Sequence, residues 1–207
     1  MHIKCLVLLV APLLVLDFAA ASRFALALDF RVVASCCSTG LEGARAIVLG
    51  AGGGARTTAF ALFAGASAGA IVLSLAARRT SGPRIALGAA LLGSLAAVSS
   101  VPAVLGYVAP HAYETSQHLC PFCLLDAEGG YLGWPLYAAL FSGTALTLAV
   151  GLAALAMPAV SEKDAVLTML RTTLLRMAVA WSIALTLAIY PVAHYAWVTG
   201  GASLFGA

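Results

Sequence analysis

Five stretches of this chain are each long and apolar enough to cross a bilayer as one helix, and that feature narrows the possible folds more than any other. A helix rises about 1.5 Å per residue, so a hydrocarbon core of about 30 Å takes about 20 apolar residues. The stretches fall at about 3–21, 57–77, 85–109, 133–157 and 173–198. They lack the alternation of apolar and polar residues that a membrane β-barrel strand needs, as the run 145–157 illustrates. Composition agrees: 62% of the 207 residues are hydrophobic and 9% are charged, against about 45–50% and about 25% in a soluble domain. The expected fold is an all-α integral membrane protein, a single membrane domain over 1–207 built as a bundle of about five transmembrane helices. Membrane lipid is its first expected partner. Nucleic acid is not expected, because 11 Lys and Arg are scattered along the chain and the net charge is only +3.

Short cytoplasmic loops carry an excess of Lys and Arg. An N-terminus in the cytoplasm puts seven basic residues inside (Lys4, Arg78, Arg79, Arg84, Lys163, Arg171, Arg176) and four outside (Arg23, Arg31, Arg45, Arg56). The tight turn at 78–84, flanked directly by two spans, is the strongest part of that bias. The C-terminus then lies outside, as do two loops at about 22–56 and 110–132. A multi-pass protein of a bacterial-type inner membrane is the expected setting. The first span can also be read as a secretory signal, with Lys4 in its charged start and Ala19, Ala20 and Ala21 as a small-residue cleavage site.

Three segments speak about scaffold. The glycine-rich stretch 46–55 looks like the turn of a dinucleotide site, but the next segment is apolar all round and no acid follows where a ribose would be held. It reads as a flexible lead into the second span. Gly65 and Gly69 form a GxxxG pair, and Gly88, Gly93 and Ser94 decorate the third span, which is a helix-packing signal. Ser161, Glu162, Lys163 and Asp164 read as a capping box that starts a helix before the last span.

The chemistry rests on cysteine. Cys5 sits in the first span and reads as a small apolar residue. The other four lie in the two outward loops: Cys36 beside Cys37, and Cys120 with Cys123 in Cys-Pro-Phe-Cys. Outside the cytoplasm such thiols are oxidised, metal-bound or catalytically cycled. Vicinal cysteines are reluctant to bond each other, because their Cα atoms stand about 3.8 Å apart and an unstrained disulfide wants about 4.4–6.8 Å. A Cys-X-X-Cys pair can close on itself and lower the pKa of its first thiol. Thiol exchange passes through a mixed disulfide, so a second pair on an adjacent loop is what a relay requires, with Cys36 and Cys37 taking turns as partner to the Cys120/Cys123 disulfide. Two other readings use the same residues: structural disulfides that brace the loops, as in a non-catalytic accessory subunit of a membrane complex, or a zinc or copper site made from His118, Cys120, Cys123 and one vicinal thiol.

A multi-span chain with an outward Cys120-Pro121-Phe122-Cys123 and a second outward pair, Cys36-Cys37, resembles the quinone-linked thiol oxidoreductases of the DsbB and vitamin K epoxide reductase type. The resemblance implies that Cys120 and Cys123 face a quinone, and that Cys36 and Cys37 shuttle electrons from a soluble thiol protein. Those families have a four-helix core and separated shuttle cysteines, whereas five spans and an adjacent pair are read here. The vicinal pair also resembles that of mercuric-ion transport proteins, which implies metal handling. There the relay crosses the membrane; here both pairs fall on one side.

Ionisable groups near the outer face complete the candidates. His111 and His194, on ends of neighbouring spans, are placed to bond a quinone carbonyl or to hold a metal. Asp17 is the one acid well inside an expected span, where an ionisable group reads as functional, here as a proton relay, and equally as a group about a turn from the outer surface that reaches water or pairs with Arg23. Tyr107, Tyr113, Tyr131, Tyr190, Tyr195, Trp134 and Trp197 read as an interfacial aromatic belt. No span carries the opposed histidines of a buried haem, and no haem is expected. The expected activity is thiol–disulfide exchange coupled to a quinone.

Overall fold

The computed structural model describes residues 52–80, 82–116, 119–157, 163–202 and 204–205, together with Ala19 and Arg23. The chain divides into two compact units, Met1–Gly43 and Ala44–Ala207, and the second holds the helices described below. The expected span at 3–21 lies outside the described residues, as do Cys5, Asp17, Cys36, Cys37 and His118.

Among the described residues, four helical stretches are long and apolar enough to cross a membrane: Gly53–Thr80, Pro83–Ala112, Gly133–Ala156 and Asp164–Val198. The protein is an all-α, multi-pass membrane protein. Helix α1 (Gly53–Thr80) begins where the hydroxyls of Thr57 and Thr58 donate back to the carbonyls of Gly53 and Gly54 at 3.0 and 2.8 Å. It ends on Arg78 and Arg79, whose charge suits the negative end of a helix dipole. Helix α2 (Pro83–Ala103) starts on a proline, which needs no N–H partner in the first turn. Pro102 inside it has no N–H for the carbonyl of Val98, and the chain then passes through one π-helical stretch, Val104–Val108, into the single turn α3 (Ala109–Ala112). Helix α4 (Gly133–Ala156) follows the 113–132 connection, and α5 (Lys163–Val198) closes the set. Lys163 and Asp164 of the capping-box segment and the last expected span are therefore in one helix of 36 residues, and Ser161 and Glu162 lie outside the described residues.

The four long helices pack in a ring. Helix α1 lies against α2 and α5, and α4 lies against α2 and α5, the arrangement of an up-and-down bundle. The seam between α1 and α2 is built from small residues, among them Ala66, Ala70, Ala77, Ala86, Ala89 and Ala96, all buried. Gly69 takes the side chain of Leu92, because a Cβ there would fall 2.7 Å from Leu92 Cδ1. Its GxxxG partner Gly65 faces outward with nothing within 4 Å of where a Cβ would be. The middle of the bundle is organised by Trp181, fully buried, whose indole N–H donates to Thr147 Oγ1 at 3.1 Å while Thr147 donates to the Gly143 carbonyl at 2.7 Å. The indole lies flat enough on α4 that a Cβ on Gly143 would sit 3.0 Å from it. Across the outer surface Val72, Leu91, Val98, Phe141 and Leu152 are exposed, a face made for acyl chains.

Candidate functional site at the cysteine end of the bundle

The connection from α3 to α4 carries the Cys-Pro-Phe-Cys motif and folds tightly over one end of the bundle. Pro121 leads into a short 3-10 turn, Phe122–Leu125, and a second, Ala127–Gly129, follows at once. The Asp126 carboxylate accepts from the Ala127 N–H at 2.7 Å and caps the second turn. Gly130 and Tyr131 both have positive φ, 62° and 56°, and swing the chain into α4. Leu124 is fully buried under this arch. Gly133 has to lack a side chain, since a Cβ there would stand 2.9 Å from the backbone of Leu124.

Three side chains from the helices hold the connection. Arg56 of α1, itself buried, donates from Nη1 to the Ser116 carbonyl at 2.9 Å. Trp134, in the first turn of α4, donates its indole N–H to the Leu125 carbonyl at 3.1 Å. Tyr137, one turn further along α4, donates its hydroxyl to the Pro121 carbonyl, between the two cysteines. In the motif so held Cys120 is buried, Cys123 is half-buried and Phe122 is exposed, and the two sulfurs are not joined in the disulfide that the spacing allows.

Directly beneath Pro121 the seam between α2 and α4 opens into an apolar cleft of about 460 Å³. Val98, Val101, Val104 and Leu105 line it from α2 and the π-helical stretch, and Tyr137, Leu140, Phe141 and Thr144 line it from α4. It opens sideways rather than into the bundle: Val98 and Phe141 on its rim are each 75% exposed. Three hydroxyls are present in it, on Ser100, Tyr137 and Thr144. The first and last donate to carbonyls of their own helices, Ala97 at 2.7 Å and Leu140 at 2.8 Å. A flat, mostly hydrocarbon molecule arriving from the bilayer, with a few polar atoms near Tyr137, fits such a space.

The expected histidines are placed elsewhere. His111 is buried, and its Nδ1 donates to the Tyr107 carbonyl at 2.7 Å. That carbonyl can only accept, so Nδ1 carries the proton. The imidazole is packed among Tyr107, Tyr195 and Phe205, with ring centroids at 4.4, 5.4 and 5.4 Å. Arg56 lies over the Phe205 ring at 5.1 Å, so the segment after α5 is part of this cluster. His194 is exposed and its ring meets Tyr190 at 6.1 Å. Neither histidine is among the cleft-lining residues.

Of the alternative metal trio, Cys120 and Cys123 are described and His118 is not; among the described residues no group of three or more His, Cys, Asp or Glu is placed to share an ion. The aromatic belt divides. Tyr131, Trp134, Tyr190 and Trp197 are exposed, whereas Tyr107 turns inward to stack on Phe60 at 4.7 Å. The residue that ties motif to cleft, Tyr137, is absent from the expected site. A tyrosine in the interior of an apolar span is the one signal that pointed there, since a buried phenol hydroxyl needs a partner. No family model, curated protein or solved structure matches the chain.

Proposed function

We propose that the protein is a thiol–disulfide oxidoreductase of a bacterial-type inner membrane, passing electrons between a soluble thiol protein and a quinone, with the cysteine end of the bundle outside. The observation that carries this reading is the contact between motif and cleft: Pro121, between Cys120 and Cys123, is itself part of the wall of a lipid-open apolar space. The ring of four long helices supports the same reading, being the core that the resemblance to quinone-linked thiol oxidoreductases implies. Arg78, Arg79 and Arg84 lie at the opposite end, and that polarity supports a cytoplasmic position for them.

A quinone, when bound, supplies a sink for two electrons and two protons. The chain's own residues do the rest. Cys123, the more accessible sulfur, receives attack from outside, either from a partner thiolate or from Cys36 or Cys37. In that step one S–S bond breaks as another forms, and the mixed disulfide is resolved by a second thiolate, so that two thiols of the donor become a disulfide and the Cys120–Cys123 pair is reduced. Cys120, buried and next in sequence to the cleft-lining Pro121, would return the pair to the disulfide, the two electrons and two protons passing to a quinone held in the cleft. Trp134 and Tyr137 keep the turn in place while its sulfurs change partners.

The test is turnover of the full chain in lipid vesicles with a small dithiol donor and a short-chain quinone. Wild type should reduce the quinone, and Cys120→Ser and Cys123→Ser should each fall to background while remaining folded. Unchanged or absent turnover in all three folded chains contradicts the reading and favours braced loops in an accessory subunit.

A further inference from the structure

The cleft is almost wholly apolar, and its few polar groups have little hydrogen to give, which has a consequence for whatever enters it. Ser100 and Thr144 spend their hydrogens on their own helices. Pro121 in its wall has no N–H at all. Each hydroxyl oxygen still has lone pairs. A hydroquinone, which brings its own O–H donors, is satisfied by such a wall. An oxidised quinone, whose two carbonyl oxygens only accept, is not.

One donor can change hands with effect outside the cleft. The bonds of Ser100 and Thr144 are internal to single helices, so releasing them is felt locally. The Tyr137 hydroxyl is different: it lines the cleft and donates to the Pro121 carbonyl inside the cysteine motif. Resting on the quinone reading above, we propose that Tyr137 is a positioning residue with two alternative acceptors, the Pro121 carbonyl and an oxygen of an oxidised quinone head. When the quinone takes the hydrogen, Pro121 loses its tether to α4 and the Cys120–Cys123 turn loosens. When the cleft holds hydroquinone or lipid, the tether is restored. The motif thus reads the oxidation state of what lies beneath it.

The experiment uses the full chain in lipid nanodiscs without any dithiol donor, so that no turnover occurs, with decylubiquinone and decylubiquinol as probes. Binding is measured directly, and amide hydrogen exchange is followed over the 119–132 connection. In wild type, decylubiquinone should raise exchange there several-fold and decylubiquinol should not. Tyr137→Phe should start in the fast-exchanging state and show no further response to decylubiquinone, with its decylubiquinol affinity unchanged; its decylubiquinone affinity should change little, because wild type gives up the Pro121 bond to make the new one. Thr144→Val, which removes a cleft hydroxyl that does not reach the motif, should respond as wild type does. If the quinone binds wild type and exchange stays the same, the two-acceptor role is wrong while the oxidoreductase reading stands. An equal response to quinone and hydroquinone, or a Thr144→Val chain behaving like Tyr137→Phe, also overturns it. If neither chain binds either probe, the quinone reading itself falls.

Discussion

The seam between α2 and α4 is two different structures along its length. In its lower half Gly93 brings α2 so close that a Cβ would collide with Thr147 of α4 and Met177 of α5. Gly151 and Ala90 meet in the same way, with 3.4 Å between the Ala90 Cβ and the place a Cβ on Gly151 would take. In the upper half Ala97 and Ser100 are the small residues on the α2 side, and larger ones stand opposite. There Val101, Val104 and Leu105 face Leu140, Phe141 and Thr144 across an open space. Glycine and alanine seal a helix pair in lipid because no hydrophobic drive pulls helices together there, and close backbone approach has to supply the dispersion contact. Where branched side chains and a π-helical stretch replace them, the helices part and leave room for a guest. One pair of helices is thus closely packed at one level and frames an open apolar cleft at the next.

The largest effect expected from disturbing this contrast is at Gly93. Gly93→Leu should force Thr147 and Met177 aside and destabilise the bundle by about 1–3 kcal/mol, the usual cost of overpacking. Val101→Leu, at the open level, should change stability by no more than about 0.5 kcal/mol, as an outward substitution with room around it does. Reversible unfolding in mixed micelles compares the two. Equal losses at both levels would mean that the seam is packed alike throughout. A smaller effect belongs to Thr147→Val, which strands the Trp181 indole N–H and removes the bond to the Gly143 carbonyl. In a membrane bundle an interhelical hydrogen bond is worth about 0.6 kcal/mol and at most about 1.7, so the same unfolding measurement should show a loss in that range. A loss as large as that of Gly93→Leu would assign the closed half to polar bonding instead of close approach.

Much of this architecture is legible in the sequence, because the length of an apolar run follows directly from bilayer thickness. The stretch at 133–157 coincides with α4 almost to the residue. The last helix starts ten residues earlier than the expected span, at Lys163. Hydropathy marks where a helix is in lipid, and backbone hydrogen bonding carries it on past that point. Helix α1 likewise begins at Gly53, within the glycine-rich lead, where Thr57 and Thr58 supply back-bonds.

The site was less legible. Cys120 and Cys123 announce themselves by spacing, but the cleft below them depends on which helix faces α2, a tertiary fact. Tyr107 and His111 share the composition of an interfacial belt, yet they follow or fall within a π-helical stretch. An extra residue in a turn rotates everything after it by about 100°, so the face these side chains present does not follow from a regular helical count. Tyr107 accordingly packs on Phe60, and His111 is held inside the bundle. Tyr137 is hard to read for the opposite reason: within an apolar span it looks like one more aromatic, and its hydrogen bond appears only when the Pro121 carbonyl is brought to it.

The most direct test of the account is to find where a quinone binds. A photoreactive short-chain quinone, activated in vesicles containing the full chain and mapped by peptide mass spectrometry, should mark residues 97–105 and 137–144, with labelling reduced by excess unlabelled quinone. Labelling concentrated instead around His111 and His194, or spread evenly over the lipid-facing surface, would contradict the claim that the cleft under the Cys120–Cys123 motif is the site.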